Sequence, residues 1–548
     1  MTRIQKLGVA LVAAGLSLLP SLASAQAASQ FIATGSSALW QTAAIASWEL
    51  TGKLHHYTFK LAGTGVGVLD TRNTTTIAPQ QGSISIVWDS STAPTKIYVG
   101  VSLDSTEGDR LLLGTNTLGE PAGKLVLPTT IPAAANLISV TWGTDDTTLP
   151  TPVITALNAA PEVTAAFTDI RPEDAAYATA RAAAVRGVSV ADGAHSYAGL
   201  GYNGPLSATV TDTNWVESSY STSAFQVVPF NTHGTDPISG ETIPAFSSYR
   251  VGFSPVLALV NRTNTSGLGA KNSGGAFYFT NLSLAEASTL WSGGHAATIG
   301  ACNTSVFNVT GAPNVALTVN KREPLSGTYN TFEYQVVNVP YNATLADQNS
   351  QENFVIPTAT GGNPLELTCG GSPAGKYKRA IGTGEMVNTA ILGTTDSIGY
   401  AFFSFGNVSK IAGNTDFGYL TLNGVDPLNA TYGTGELPTT GTLSSLFSHI
   451  KDGTYPAWSD LRIVTNNNAT NQTLASGLAS RIASDITSGA QLPDFLPFST
   501  TLVLYRSHYS NGTYTNGAAS NGLAGAAENG GDVNGVIETS GNVLNARN

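Results

Sequence analysis

Between about residues 250 and 395 the chain repeats one pattern: an apolar or alternating run, a break rich in Gly and Ser, then a helix-forming run. No other feature restricts the fold as strongly. Phe253 to Asn261 is a strongly apolar strand, and Asn281 to Trp291 is a short capped helix that stops at Ser292-Gly293-Gly294. Val315 to Val319 alternates as a strand, and Tyr329 to Val337 can start a helix. Gly382-Thr383-Gly384-Glu385-Met386-Val387 opens another helix before the strand Ser397 to Phe403. Strand and helix in alternation predict an α/β lobe over this stretch.

Ser326-Gly327-Thr328 falls at a strand-to-helix turn, a place that suits an oxyanion. The first N–H groups of a helix lack intrahelical partners, and the helix dipole adds partial positive charge there. Gly327 lets backbone approach closely, Ser326 and Thr328 bring hydroxyls, and Arg322 brings a planar two-pronged donor. The alternative is an ordinary Ser/Thr N-cap with a surface arginine nearby. Phe31 to Trp48 offers a second such place: a strand, the turn Gly35-Ser36-Ser37, then a helix.

Elsewhere the signals are plainer. Residues 60–150 are β-rich, with good alternation in Ser83 to Trp88 and Lys96 to Val101. Asp104 to Arg110 follows, either a solvated turn, the reading favoured by its charges, or a ligand-facing loop. A strand ends at Asp169 and a helix follows, with Pro172 near its first turn; Asp169 is either its cap or a ligand contact. Residues 185–245 are loop-like. Asp416 to Leu422 and Trp458 to Val464 read as strands. Leu474, Leu478, Ile482 and Ile486 mark the core face of a helix, and a Gly/Asn/Ser/Ala-rich tail begins at Ser510 and is read as flexible.

Residues 1–25 read as a secretory signal peptide: Arg3 and Lys6, an apolar run from Leu7 to Leu22, and the small-x-small site Ala23-Ser24-Ala25. No later run is long enough to span a bilayer, so the protein is expected to be exported, to the periplasm or the extracellular space. Loss of the two basic residues takes the formal charge from -11 to -13. That excess argues against nucleic acid and anionic membranes as partners, though not against a small anion held by local dipoles. Cys302 and Cys369 are the only cysteines, and export favours a disulfide between them over two buried thiols. The spacing of His and Cys gives no metal site, no cofactor motif is visible, and no nucleophile elbow or phosphate loop of the Walker type appears.

Taken in order, these pieces resemble the PstS-like periplasmic phosphate-binding proteins of ABC transporters, of the type II periplasmic-binding-protein fold. The resemblance rests on Gly35-Ser36-Ser37-Ala38, Thr168-Asp169-Ile170-Arg171-Pro172, the strand ending at Asn261, Trp291-Ser292-Gly293, and above all Arg322-x-x-x-Ser326-Gly327-Thr328. Ile398-Gly399-Tyr400 falls where the chain returns to its first lobe, and Tyr455-Pro456 lies near the end. The resemblance implies two α/β lobes joined by crossing strands, with phosphate in the cleft. Arg322 would clamp the anion and Ser326, Gly327 and Thr328 would donate from a helix start. Ser36 and Ser37 would donate from the other lobe, and Asp169 would accept from a protonated phosphate oxygen.

Two departures from the family pattern stand in the site. Pro324 occupies the place of a second acid, and no Gly/Ser-rich loop shortly precedes Asp169. Either Asp104 to Arg110 takes that loop's place, or the added chain is an unrelated elaboration. The expected layout is a first lobe over 26–248 with a β-rich insertion at about 60–155, a second lobe over 249–397, a return to the first over 398–509, and the tail. The expected function is non-enzymatic capture of an oxyanion, phosphate first, for an ABC-type uptake system whose permease would be the protein partner. The alternatives are a surface or extracellular structural or adhesion protein that keeps the fold without binding an anion, and an exported phosphatase-like hydrolase.

Overall fold

In the computed structural model of the protein, the described residues are 28–170 (apart from 62, 72–74, 78–81, 115–120 and 139–141), 246–291, 309–322, 326–332, 335–336, 376–380, 382–429, 432–498, 503–505, 536–539 and 542–545. The expected signal peptide, Arg171-Pro172, the 185–245 stretch, Cys302, Cys369 and Pro324 lie outside them.

The first half opens with strand β1 (Ser29–Ser36) and helix α1 (Ser37–Leu50). Ser36 makes the turn, its hydroxyl accepting from the Ala38 amide as an N-cap. Strands β2 (His55–Lys60), β3 (Gly67–Asp70), β4 (Thr75–Ile77), β5 (Ser83–Trp88) and β6 (Lys96–Leu103) follow, then helix α2 (Ser105–Leu113), strand β7 (Gly123–Val126), helix α3 (Thr151–Ala159) and strand β8 (Ala165–Thr168). Strand β1 pairs in parallel with β6 on one side and β8 on the other. Its alternation sends Phe31 and Ala33 to one core and Ile32 to a second, on opposite faces of the sheet.

The second half contains β9 (Phe246–Asn261), β10 (Asn281–Leu282), α4 (Leu284–Trp291), β11 (Thr318–Arg322), α5 (Gly327–Phe332), β12 (Lys376–Ala380), α6 (Gly382–Glu385, continued by a wider turn through Ile391) and β13 (Ser397–Phe402). Helix α4 begins at Leu284 rather than Asn281 and carries a capping box: the Ser283 amide donates to Glu286 Oε2 at 2.7 Å and the Glu286 amide to Ser283 Oγ at 3.1 Å. Strand β11 pairs in parallel with β12 and β13. The chain then adds β14 (Phe417–Leu422), β15 (Trp458–Asn466), α7 (Ala469–Ser488) and β16 (Leu496–Pro497). Leu478, Ile482 and Ile486 of α7 are buried as the four-residue repeat requires, with Leu474 at the core's edge.

One thirteen-stranded sheet runs β12-β11-β13-β9-β15-β8-β1-β6-β5-β2, with β10, β14 and β16 beside it. The halves are joined through β9. At roughly 3.3 Å per residue its 16 residues span about 50 Å. Residues up to Pro255 pair with antiparallel β15, and residues from Val256 pair with β13 and β14. Pro255, which has no N–H to donate, sits where the partners change. This is the two-lobe α/β architecture that the resemblance implies. Within the 60–155 stretch, β5 and β6 belong to the main sheet, whereas β3, β4 and β7 form a sheet of their own. Val536–Thr539 and Asn542–Asn545, in the expected tail, pair with each other, and the former also pairs with Val503–Tyr505.

Three local expectations are corrected. Asp104 to Arg110 is not a solvated turn but the start of α2, and Ser105, Thr106, Glu107, Asp109 and Arg110 are all buried. Their polarity is answered inside the protein: Arg110 Nη1 meets Glu107 Oε1 at 2.5 Å, and Thr168 Oγ1 donates to Asp109 Oδ2 at 3.0 Å. The strand before the Ser-Gly-Thr turn is displaced toward it, so that Arg322 is the last residue of β11. The helix behind that turn begins at Gly327, not Tyr329, which places Gly327 and Thr328 in its first turn.

Candidate functional site

Every candidate residue stands just beyond the C-terminal end of a parallel strand or at its last position. Ser36 and Ser37 end β1, Asp169 follows β8, Arg322 ends β11, and Ser326, Gly327 and Thr328 open the helix after it. Two further strands add to the site: Asp104 and Ser105 after β6, in the segment that the sequence offered as the less favoured ligand-facing loop, and Thr383 after β12, which the sequence did not connect to it. Ligands of open α/β sheets bind at such strand ends, where helix N-termini gather. Close packing makes the gathering possible. A Cβ on Gly108 would lie 2.5 Å from Thr34 O, and one on Gly35 2.1 Å from Phe167 O, so only glycine lets α2 and β8 close on the end of β1.

The Asp169 carboxylate, buried, is the centre of the first-half group. Its Oδ2 accepts from Ser36 Oγ at 3.2 Å, and its Oδ1 accepts from Ser105 Oγ. Ser459 on β15 donates to the Asp169 carbonyl and so ties this loop to the strand that lies between β8 and β9. Gly327 comes from the other half and meets the same carboxylate: a Cβ there would lie 1.5 Å from Asp169 Oδ1 and 2.9 Å from Ser105 Oγ.

Arg322 is 1% exposed, which excludes the surface-arginine alternative. Its Nη1 donates to Thr328 Oγ1 at 3.2 Å and to Thr383 Oγ1 at 3.3 Å, and its Nη2 is 3.7 Å from Asp104 Oδ1. The Arg322 amide donates to the Tyr400 hydroxyl at 3.1 Å; Tyr400 in turn stacks on Phe332 with ring centroids 4.2 Å apart. The end of β11 is therefore anchored at its backbone to a packed aromatic pair. Ser37 joins this group through Thr383, their hydroxyls 3.2 Å apart. Ser326 acts as the cap of α5, its Oγ accepting from the Tyr329 amide at 3.4 Å.

Six of the seven candidate residues fall in two adjoining contact groups, Ser36, Asp169 and Gly327 in one and Ser37, Arg322 and Thr328 in the next, while Ser326 caps the helix that carries Gly327 and Thr328. Both groups draw on both halves. Chemically the place offers a guanidinium, several hydroxyls and helix starts as donors, beside a carboxylate that can only accept when ionised. That set suits an oxyanion that still carries a proton. A cavity of about 390 Å³ adjoins it, lined by Ser37, Asp104 and Thr383 of the site and also by Trp40, Lys60 and Lys410. Among the described residues no group of three or more His, Cys, Asp or Glu is placed to hold a metal ion, and no helix is long and apolar enough to cross a membrane.

No family model and no curated protein matches the chain. Among solved structures it is similar to a phosphate-binding protein from Stenotrophomonas maltophilia (14% identity over 63% of this chain and 79% of that one, TM-score 0.28). It is also similar to an ABC-type phosphate transport receptor from Vibrio cholerae (14%, 46% and 73%, TM-score 0.26) and to PstS from Borrelia burgdorferi (15%, 46% and 73%, TM-score 0.24). At these values the reading of fold and site rests on the chain's own topology and geometry.

Ser105 and Thr383 were missed because each is an unremarkable hydroxyl in its own segment. The available signal was positional, since both open a helix directly after a strand. Gly382-Thr383-Gly384 is legible as a helix start, but nothing local links it to Arg322.

Proposed function

We propose that this protein is an exported, non-enzymatic solute-binding protein that captures an oxyanion, inorganic phosphate first, between its two halves and presents it to an ABC-type permease. The observation that carries the reading is the meeting of Ser36 and Asp169 from one half with Gly327 from the other, beside the buried Arg322. In this reading Arg322 supplies the guanidinium clamp. Ser36, Ser37, Ser326 and Thr328 and the backbone at Gly327 supply further donors. Asp169 accepts from a protonated phosphate oxygen, and a fully ionised anion such as sulfate would face that carboxylate unprotonated and be disfavoured. In this reading the first 25 residues serve as the export signal.

A second reading has one observation in its favour. Asp104 already faces Arg322 at 3.7 Å, and the hydroxyls around Asp169 already donate to it. A structural or adhesion protein that keeps the fold and has no anion site would leave these groups satisfied by one another.

Calorimetric titration separates the two. After unfolding and refolding to strip any bound anion, the protein is expected to bind phosphate with a dissociation constant in the micromolar range or below. Sulfate should bind far more weakly. Arg322→Ala removes charge-assisted hydrogen bonds and should weaken phosphate binding roughly 100-fold or more. Absence of heat with both anions, with the protein folded, favours the structural reading.

A further inference from the structure

The cavity beside the candidate site is larger than a bare oxyanion needs. At about 390 Å³ it has room for on the order of ten waters at ~30 Å³ each, and it falls within the range of small-molecule pockets. It is not a separate feature of the surface. Ser37, Asp104 and Thr383 form part of its wall, and Thr383 and Asp104 are the same residues that meet the Arg322 guanidinium. Both halves of the protein contribute to it, so a molecule seated there would lie between them.

The charge on its wall is distinctive. In a chain with 36 acidic and 25 basic residues, this one cavity carries Lys60 and Lys410 against the single carboxylate of Asp104, which faces Arg322. Lys60 Nζ donates to Ser83 Oγ at 3.1 Å, and among the described residues neither lysine has a carboxylate at ion-pair distance. Both lysines are exposed residues on the cavity wall. The Lys60 ammonium is nonetheless held below the ordinary lysine range, first by the protein around it and then by the Lys410 charge. Two cations facing one space, next to a buried guanidinium, are arranged to share an anion.

We propose that the ligand is a phosphate bearing a second anionic group on a short linker: the phosphate sits among Ser36, Arg322 and Thr328, and the second group sits in the adjoining cavity against Lys60 and Lys410. This rests on the oxyanion-binding reading above and narrows its ligand class. Inorganic phosphate then occupies only the inner part of the site.

The test is calorimetry on the stripped protein with four probes: orthophosphate, pyrophosphate, phosphoglycolate and glycerol 3-phosphate. At least one of the two probes with a second anionic group should bind about tenfold or more tighter than orthophosphate, since each lysine adds a partly solvated ion pair. Pyrophosphate and phosphoglycolate distinguish a second phosphate from a carboxylate. Glycerol 3-phosphate, whose tail is neutral, should show no gain. The double variant Lys60→Gln/Lys410→Gln should erase the gain and leave orthophosphate affinity as it was; both side chains are exposed, and a thermal melt checks that the fold is kept. Orthophosphate binding that depends on Arg322, with no gain for either probe that carries a second anionic group or with a gain that survives the double variant, overturns this proposal alone. No binding of any probe overturns it together with the oxyanion reading.

Discussion

Gly327 and Asp169 come from opposite halves of the protein and leave no space between them. The Cβ of any other residue at 327 would fall 1.5 Å from Asp169 Oδ1, so one of the two must move. Gly327→Ala is therefore expected to push α5 away from the carboxylate. Overpacking of this kind costs about 1–3 kcal/mol, and on the proposed function the displaced helix start should also weaken phosphate binding. Thermal melts with and without phosphate read both effects; a variant with unchanged melting and unchanged phosphate shift would mean that the two halves do not meet at this contact. The seven candidate residues were legible at this scale because each belongs to a short local pattern, a strand end followed by a helix start. Pro324 raised the question of a missing acid in the Arg322 segment. A carboxylate does face Arg322, but it is Asp104, more than two hundred positions earlier. No reading of the segment itself supplies it.

Between elements, Asp494 does for α1 what the strand ends do for the site. Oδ1 accepts from the Phe405 amide at 2.8 Å and Oδ2 from Thr42 Oγ1 on α1 at 3.0 Å, so one buried carboxylate joins α1 to the turn after β13. Burial raises its pKa to about 6, and those hydrogen bonds offset only part of the shift. With the folded pKa above the unfolded one, the native state holds a proton that the unfolded chain releases. The stability contributed by this group is therefore greatest below about pH 4 and falls as pH rises through 6, by roughly 2–3 kcal/mol. Asp494→Asn keeps the shape without the charge. Urea unfolding of both proteins should show the variant gaining on the wild type by that amount between pH 4 and pH 7, whereas parallel pH curves would rule the effect out. Elements were mostly legible where periodicity is strong, as in α7 and β9. The Asp104–Arg110 segment was misread because a run of charges looks solvated. Only its neighbours, Thr168 and the adjacent turn of α2, show that those charges are answered internally.

On the scale of the whole molecule, the halves are connected through β9 and β15 and touch at Ser37–Thr383 and Gly327–Asp169. A binding protein built this way should separate at those contacts when empty and close around its ligand, with the crossing strands as hinge. Small-angle scattering of the stripped protein should thus show a smaller radius of gyration once phosphate is added, and identical curves would count against closure. The sequence by itself determined the alternation of strand and helix, the Arg322–Thr328 turn, the helix cap at Ser36 and the acidic residue after β8, since all of these depend on neighbours a few positions away. Only the tertiary structure decided that β6 lies beside β1 and β12 beside β11. Those pairings bring Ser105 to Asp169 and Thr383 to Arg322, and the packing of the two halves together sets Lys60 and Lys410 on one cavity. Hydrogen bonding between strands distant in sequence chooses sheet neighbours, and no local propensity encodes that choice.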